Sequence, residues 1–301
     1  VHLFAIFVIT AYICRSALLP FITDIYGDNY PPDRRAAFFS KSLLLSVGVA
    51  ALSGFIGSSI LEKDIEYYPL IFTFLGFCAF SKAAAIYCML SKKVDKSPHE
   101  NPFGNMKYAW QDRSFGYVLL TWFIMGFANL WTLPLRVDYV TSAQWGIEGS
   151  AIFVAMIITV IPETMRMLLI PFWARLFDKM NFVVLRMILN LSFAAGILLF
   201  FISSNPWIIG AGSALIGAAF AGGSIAWNLW VTKYAPPGKT GAYMSVHVSL
   251  TGIRGTLGPM IGYWAIGLIG AQNIGILSCA MMILATLMLI PEIKHGRWKT
   301  A

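Results

Sequence analysis

Five ionisable side chains stand well away from the ends of long apolar runs of this sequence: Arg15, Lys82, Glu163, Arg166 and Arg254. A charge in such a setting is costly, so it implies either a task or a partner. Glu163 and Arg166 are three residues apart, which on a helix places them on one face, where they can pair. That pair could hold a proton or a basic group at the carboxylate, with Arg166 adjusting its acidity. Its plainer use is to neutralise two buried charges. Arg254 has no acidic neighbour in sequence, and His247, Thr251, Arg254 and Gly258 fall on one stripe of a helix. A guanidinium there could clamp a carboxylate or phosphate through two parallel N–H bonds. The structural alternative pairs it with Glu163 or with another acid. For Arg15 the two readings are even. Lys82 lies close enough to the end of its run for the ammonium to reach out of the apolar layer.

Uncharged polar and aromatic residues supply the rest of a binding surface. Asn129 with Trp131, and Trp227 with Asn228, stand within two of the apolar runs. A buried Asn needs partners, and Trp offers a flat apolar wall with one donor. Arg254, Arg15, Asn129, Trp131, Trp227 and Asn228 are therefore the candidate substrate-binding residues. Glu163 and Arg166 are the candidates for ion coupling or a buried ion pair. Trp145, Trp207 and Trp230 stand near the ends of runs, where indoles favour a membrane interface.

Catalytic constellations are not found. His2, His99, His247 and His295 do not cluster, and Cys14, Cys78, Cys88 and Cys279 form no C-x-x-C pair. No metal site, cofactor or disulfide framework is expected. There is no phosphate-binding glycine loop of the Walker type, so nucleotide hydrolysis is not expected. The reading is that the chain is not an enzyme. The alternatives are a membrane-embedded acyl or prenyl transferase, or a membrane sensor or scaffold that transports nothing.

The elements that carry these residues follow from composition. Of the 301 residues, 58% are hydrophobic and 12% charged, against about 25% charged in soluble domains. Lipid rather than water is the natural surrounding. Nine apolar runs are long enough to cross a core of about 30 Å as helices: 1–26, 37–61, 68–90, 115–136, 150–174, 182–203, 206–231, 242–269 and 272–291. Spanning helices satisfy their own backbone groups, so an all-α polytopic bundle is predicted.

The net charge of +8 is explained by topology rather than by nucleic acid. One set of connections holds sixteen basic residues, among them Arg34, Lys92, Arg175, Lys179, Arg186, Lys233 and Lys294; the alternate set holds only Lys63 and Arg136. Basic residues collect on the cytoplasmic side. A multi-pass protein of the inner (plasma) membrane with a cytoplasmic C-terminus is expected. The long polar stretch 91–114 divides three runs from six. Residues 1–90 are read as the remnant of an N-terminal bundle, 91–114 as a cytoplasmic linker, and 115–301 as a six-helix bundle with a short tail. Within the linker, Lys107 to Arg113 reads equally as an interfacial helix anchored by Trp110 or as solvated chain.

An internal repeat supports the two-bundle reading. Residues 31–57 align without gaps to 236–262 at an offset of 205, with eight of 27 positions identical, including Pro31/Pro236, Pro32/Pro237 and Gly57/Gly262. Parallel repeats of this kind resemble the two halves of major facilitator superfamily transporters. On that resemblance the matched helices are the family's fifth and eleventh, and the chain looks like family helices four to twelve, with three more expected upstream of Val1. The segment Ala174 to Phe182 is similar to the family's G-x-x-x-D-[RK]-x-G-[RK] loop at Asp178 and Lys179 and departs from it at Ala174, Asn181 and Phe182. These two residues are implied as a cytoplasmic gate. The stretch Gly255 to Gly262 resembles the family's antiporter motif but lies in the other repeat, against an antiport assignment. The resemblance implies a monomeric secondary transporter in the lipid bilayer. Its partner would be a small-molecule substrate, an anionic metabolite among the options and proton coupling another, moved by alternating access.

Overall fold

The computed structural model describes residues 2–88, 102–145, 147 and 149–294, and every regular element within them is helical. The chain enters through α1 (His2–Asn29), α2 (Arg35–Lys63) and α3 (Tyr68–Tyr87). The first part of the expected linker, residues 91–101, lies outside the described residues. The remainder forms a 3-10 turn, Pro102–Lys107, and the short α4 (Tyr108–Gln111). Then come α5 (Arg113–Thr132), α6 (Leu135–Thr141), α7 (Ala151–Ala155), α8 (Ile161–Lys179), α9 (Phe182–Ile202), α10 (Pro206–Tyr234) and α11 (Thr240–Leu289). Among the described residues, six segments are long and apolar enough to cross a membrane: Tyr68–Tyr87, Arg113–Thr141, Phe153–Lys179, Phe182–Ile202, Pro206–Tyr234 and Thr240–Lys294.

Local chemistry sets the ends and breaks. Asp112, Asn181 and Asn205 each precede a helix, and their side chains accept from the N–H of Phe115, Val183 and Trp207, which satisfies donors the helix cannot. Pro206 follows the last of these caps, where its missing N–H costs nothing. Pro162 lies deeper in its segment and cannot donate to the ladder. The turn before it, Met156–Val160, widens to a π-helix, and the Ser213 hydroxyl from α10 donates to the Ile157 carbonyl. Within α11 the helical path breaks at Gly270 (φ 80°), a left-handed conformation that glycine adopts freely. Residues 240–269 and 271–289 are thus two helices, matching the two runs read from the sequence.

Lipid gives apolar side chains no incentive to leave it, so close backbone approach must hold such a bundle. A methyl group added at Gly217 on α10 would strike the Pro162 backbone of α8, and one added at Gly262 on α11 would strike the Trp131 carbonyl of α5. The motif-like stretch Gly255 to Gly262 thus has a packing role, since Gly258 also abuts Leu130 and Trp131.

The repeat is visible in the helix starts. Both α2 and α11 begin three residues after a Pro-Pro pair, at Arg35 and Thr240, which preserves the offset of the alignment. The apolar packing forms two clusters at opposite ends of the bundle. The first joins the start of α5, the end of α8, the start of α9, the end of α10 and the start of α11, and it takes in Ala36 and Phe39 of α2 with Tyr26 of α1. The second, at the other end, contains no described residue of α1, α2 or α3. Among the residues whose side chains are described, the early helices join the apolar packing at the first end.

Candidate functional site

Between the early and the later helices lies a cavity of about 450 Å³. Its walls bring together Arg15 from α1, Asn129 from α5, Arg166 from α8, Trp227 and Asn228 from α10, and Arg254 from α11. Residues singled out separately, from apolar runs far apart in sequence, thus face one space. Leu19, Leu43, Phe193 and Phe220 supply apolar wall, and Ser224 and Thr251 add hydroxyls.

Arg254 is 5% exposed, although it carries a charge. It donates from Nη1 to the Trp122 carbonyl and from Nη2 to the Thr251 hydroxyl at 3.0 Å, while its Nε has no partner. The guanidinium lies flat against Gly126, where any side chain would displace it. Thr251, one turn back on the same helix, orients it.

Arg166 pairs with Glu163 at 3.2 Å and also donates to the Ser224 hydroxyl at 3.2 Å. The three-residue spacing on α8 makes the pair, as expected. Glu163 lines a second, smaller cavity of about 240 Å³ together with Arg136, and Arg166 borders both spaces. Arg136 donates to Asn129 Oδ1 at 2.9 Å and so fixes that amide from behind. Asn228 donates to the Ser224 carbonyl at 2.7 Å on its own helix.

Two arginines escaped the sequence reading. In the sequence Arg186 and Arg136 read as parts of connections, on opposite sides of the membrane. Both are buried in the bundle, Arg186 2% and Arg136 7% exposed. Arg186 stands one turn inside α9, too near the helix start for hydropathy to separate it from the preceding loop. Its Cζ lies 3.5 Å from the centre of the Trp122 ring, its Nη2 donates to Met125 Sδ at 2.8 Å, and it lines the main cavity. Among the described residues no carboxylate pairs with Arg15, Arg186 or Arg254; Arg166 alone of the four cavity arginines has one.

A family model described as Major Facilitator Superfamily matches residues 149–301, just over half of the chain. This chain belongs to the major facilitator superfamily. The crystal structure of the human organic anion transporter MFSD10 (TETRAN) superimposes on it with a TM-score of 0.70, at 17% sequence identity. The superposition covers 90% of this chain and 67% of MFSD10. No curated protein matches by sequence. The helical content, the six apolar segments and the family make it a multi-pass membrane protein with the fold of a major facilitator transporter.

Other expected residues have different surroundings. Trp131 does not border the main cavity: its indole donates to Ser278 Oγ at 2.5 Å, on the second part of α11, and is buried there. The side chain points away from Asn129 because the two stand two residues apart on α5, on opposite faces. Trp230 is fully buried, stacked between Phe115 and Phe182, and is no interfacial anchor. Trp207 is exposed, as an anchor would be. Trp110 is exposed as well, while its neighbour Tyr108 stacks on Tyr243.

In the segment resembling the major facilitator loop, Asp178 at the end of α8 accepts from the backbone N–H of Ala36 (2.9 Å) and Ala37 (3.0 Å) at the start of α2. A carboxylate is favoured at a helix N-terminus by orphan donors and by the dipole. Lys179 is exposed. Asp24, near the end of α1, accepts from the backbone of Gly241 at the start of α11. Ala36 and Gly241 are equivalent positions of the repeat, so each of the two related helices starts on an acid from the opposite side.

Proposed function

We propose that the protein is a secondary active transporter that moves a small organic anion across the inner (plasma) membrane by alternating access. The observation that carries the anion is the charge of the cavity. Four arginines line it, and among the described residues no carboxylate lines it; Glu163, beside it, is already engaged by Arg166. An uncompensated guanidinium in an apolar layer costs roughly 2.5 kcal/mol or more, so a negatively charged solute is the natural complement. MFSD10, which shares the fold, is named as an organic anion transporter. Arg254, Arg15, Asn129, Trp227 and Asn228 are the substrate-binding residues in this reading, while Trp131, bonded to Ser278 and not bordering the cavity, packs α5 against α11.

Residues 1–90 and 115–301 act as the two rocking bundles, joined by a cytoplasmic linker over 91–114. The closed end, with the contact of Asp178 on α2, is the cytoplasmic gate, and Lys179 sits beside it at the surface. Glu163 and Arg166 are the ion-coupling residues in this reading, since Arg166 bridges Glu163 and the Ser224 hydroxyl at the border of the two cavities. The protein works as a monomer in this reading, since residues of one chain line the main cavity.

Counterflow in proteoliposomes tests the reading. Vesicles preloaded with phthalate should accumulate labelled phthalate transiently, and vesicles bearing Arg254→Gln should not. Accumulation that is equal in protein-free vesicles, or unaffected by Arg254→Gln, would refute it.

A further inference from the structure

Arg186 and Arg254 approach the same turn of α5 from two helices. Arg186 places its guanidinium on the face of the Trp122 ring and its Nη2 on Met125 Sδ. Arg254 reaches the carbonyl of the same Trp122 and lies on Gly126. Both line the main cavity. Among the described residues, every group that holds the two cations is neutral: an indole face, a thioether, a carbonyl and a hydroxyl.

Resting on the anion reading above, we infer that Arg186 and Arg254 form a two-guanidinium clamp for an organic dianion, a phosphate monoester or a vicinal dicarboxylate, with an apolar body. The argument is one of charge and shape. A single negative charge between two guanidinium groups leaves one of them uncompensated in a desolvated site, whereas two charges on adjacent oxygens satisfy both. Arginine presents its N–H groups as a planar fork that matches carboxylate and phosphate oxygens. Arg254 is already oriented by Trp122 and Thr251 and keeps an unpartnered Nε. Arg186 is held in place by its cation–π contact. A cavity of about 450 Å³ exceeds what a bare inorganic ion needs, and Trp227, Phe193 and Phe220 offer apolar wall for a body attached to the charged head.

The test is a binding panel on the purified, detergent-solubilised chain at pH 7.5. Phenyl phosphate and phthalate carry two negative charges, benzoate carries one, and benzyl alcohol none. Phenyl phosphate, phthalate or both should bind at least roughly tenfold more tightly than benzoate, the gain of one further charge-assisted contact. Whichever of the two binds better identifies the head as phosphate or dicarboxylate. Arg186→Gln should collapse the dianion-to-benzoate ratio to about one, and Trp131→Phe, outside the cavity, should keep it. In the unmutated protein the better dianion should protect both Arg186 and Arg254 from phenylglyoxal, read by peptide mass spectrometry; this arm does not depend on any variant folding. Equal affinity for benzoate and the dianions, or an unchanged ratio in Arg186→Gln, would overturn the clamp and leave the anion reading standing. Binding of benzyl alcohol but of no anion would overturn both. Failure of every probe to bind or to protect would overturn the clamp.

Discussion

At the scale of single residues, the contact between Arg254 and Gly126 is the most demanding. A Cβ at position 126 would fall on the guanidinium, and because that group ends a flexible side chain, it would swing away rather than unfold the helix. Gly126→Ala should therefore weaken anion binding by about tenfold, the scale of one charged contact, with little change in melting temperature. Arg254→Lys keeps the charge and loses the planar fork, so it should lose affinity to a similar degree. Trp131→Phe should do the reverse. It removes the hydrogen bond to Ser278 and should cost about 1 kcal/mol of stability, measured by denaturation, without altering affinity. Most of the cavity residues were legible in the sequence because an ionisable or amide side chain inside an apolar run stands out against its neighbours. Arg186 was not, because one turn inside α9 it still reads as part of a basic connection. The orientation of Trp131 was not legible either: hydropathy says which helix holds a side chain and nothing about which face it takes.

At the scale of elements, runs of apolar residues located the helices well, since a length of about 20 residues is what a bilayer demands. The break at Gly270 follows from a short gap between two runs. Less visible were the division of one run into α5 and α6 before Pro134 and the π-helical turn before Pro162, which depend on where displaced backbone groups find new partners. The acid at each repeat-related helix start was half legible: Asp178 carried a motif, while Asp24 did not. Asp178→Ala removes the acceptor for Ala36 and Ala37 and should cost about 1 kcal/mol at the start of α2. The closed end should then open more often. In a cysteine-free background, Ser40→Cys, buried at 6% exposure, should react faster with a thiol reagent when Asp178→Ala is added; an unchanged rate would remove Asp178 from the gate. Gly217→Val tests the packing of α10 on α8. The added methyl groups would meet the Pro162 backbone, and a clear loss of thermal stability is expected.

For the whole molecule, charge sets orientation and the two-bundle arrangement sets function. The corrected positions of Arg186 and Arg136 take one residue from each side of the loop bias and leave its sign unchanged. A reporter fused after Ala301 should signal from the cytoplasm, and a tag beside Asp64 should be reachable from outside; reversed labelling would invert the proposed topology. The packing of α1 and α2 against the later helices at the end that holds Asp178 is the contact that an alternating cycle would have to break. The most direct measurement of that cycle uses the full chain in proteoliposomes, with labelled phthalate outside and unlabelled phthalate trapped within. Uptake should be saturable, accelerated by the trapped solute, and abolished by Arg254→Gln in protein that remains folded. Uptake that rises linearly with concentration, ignores the trapped solute and persists in the variant would contradict a transporter working through this cavity.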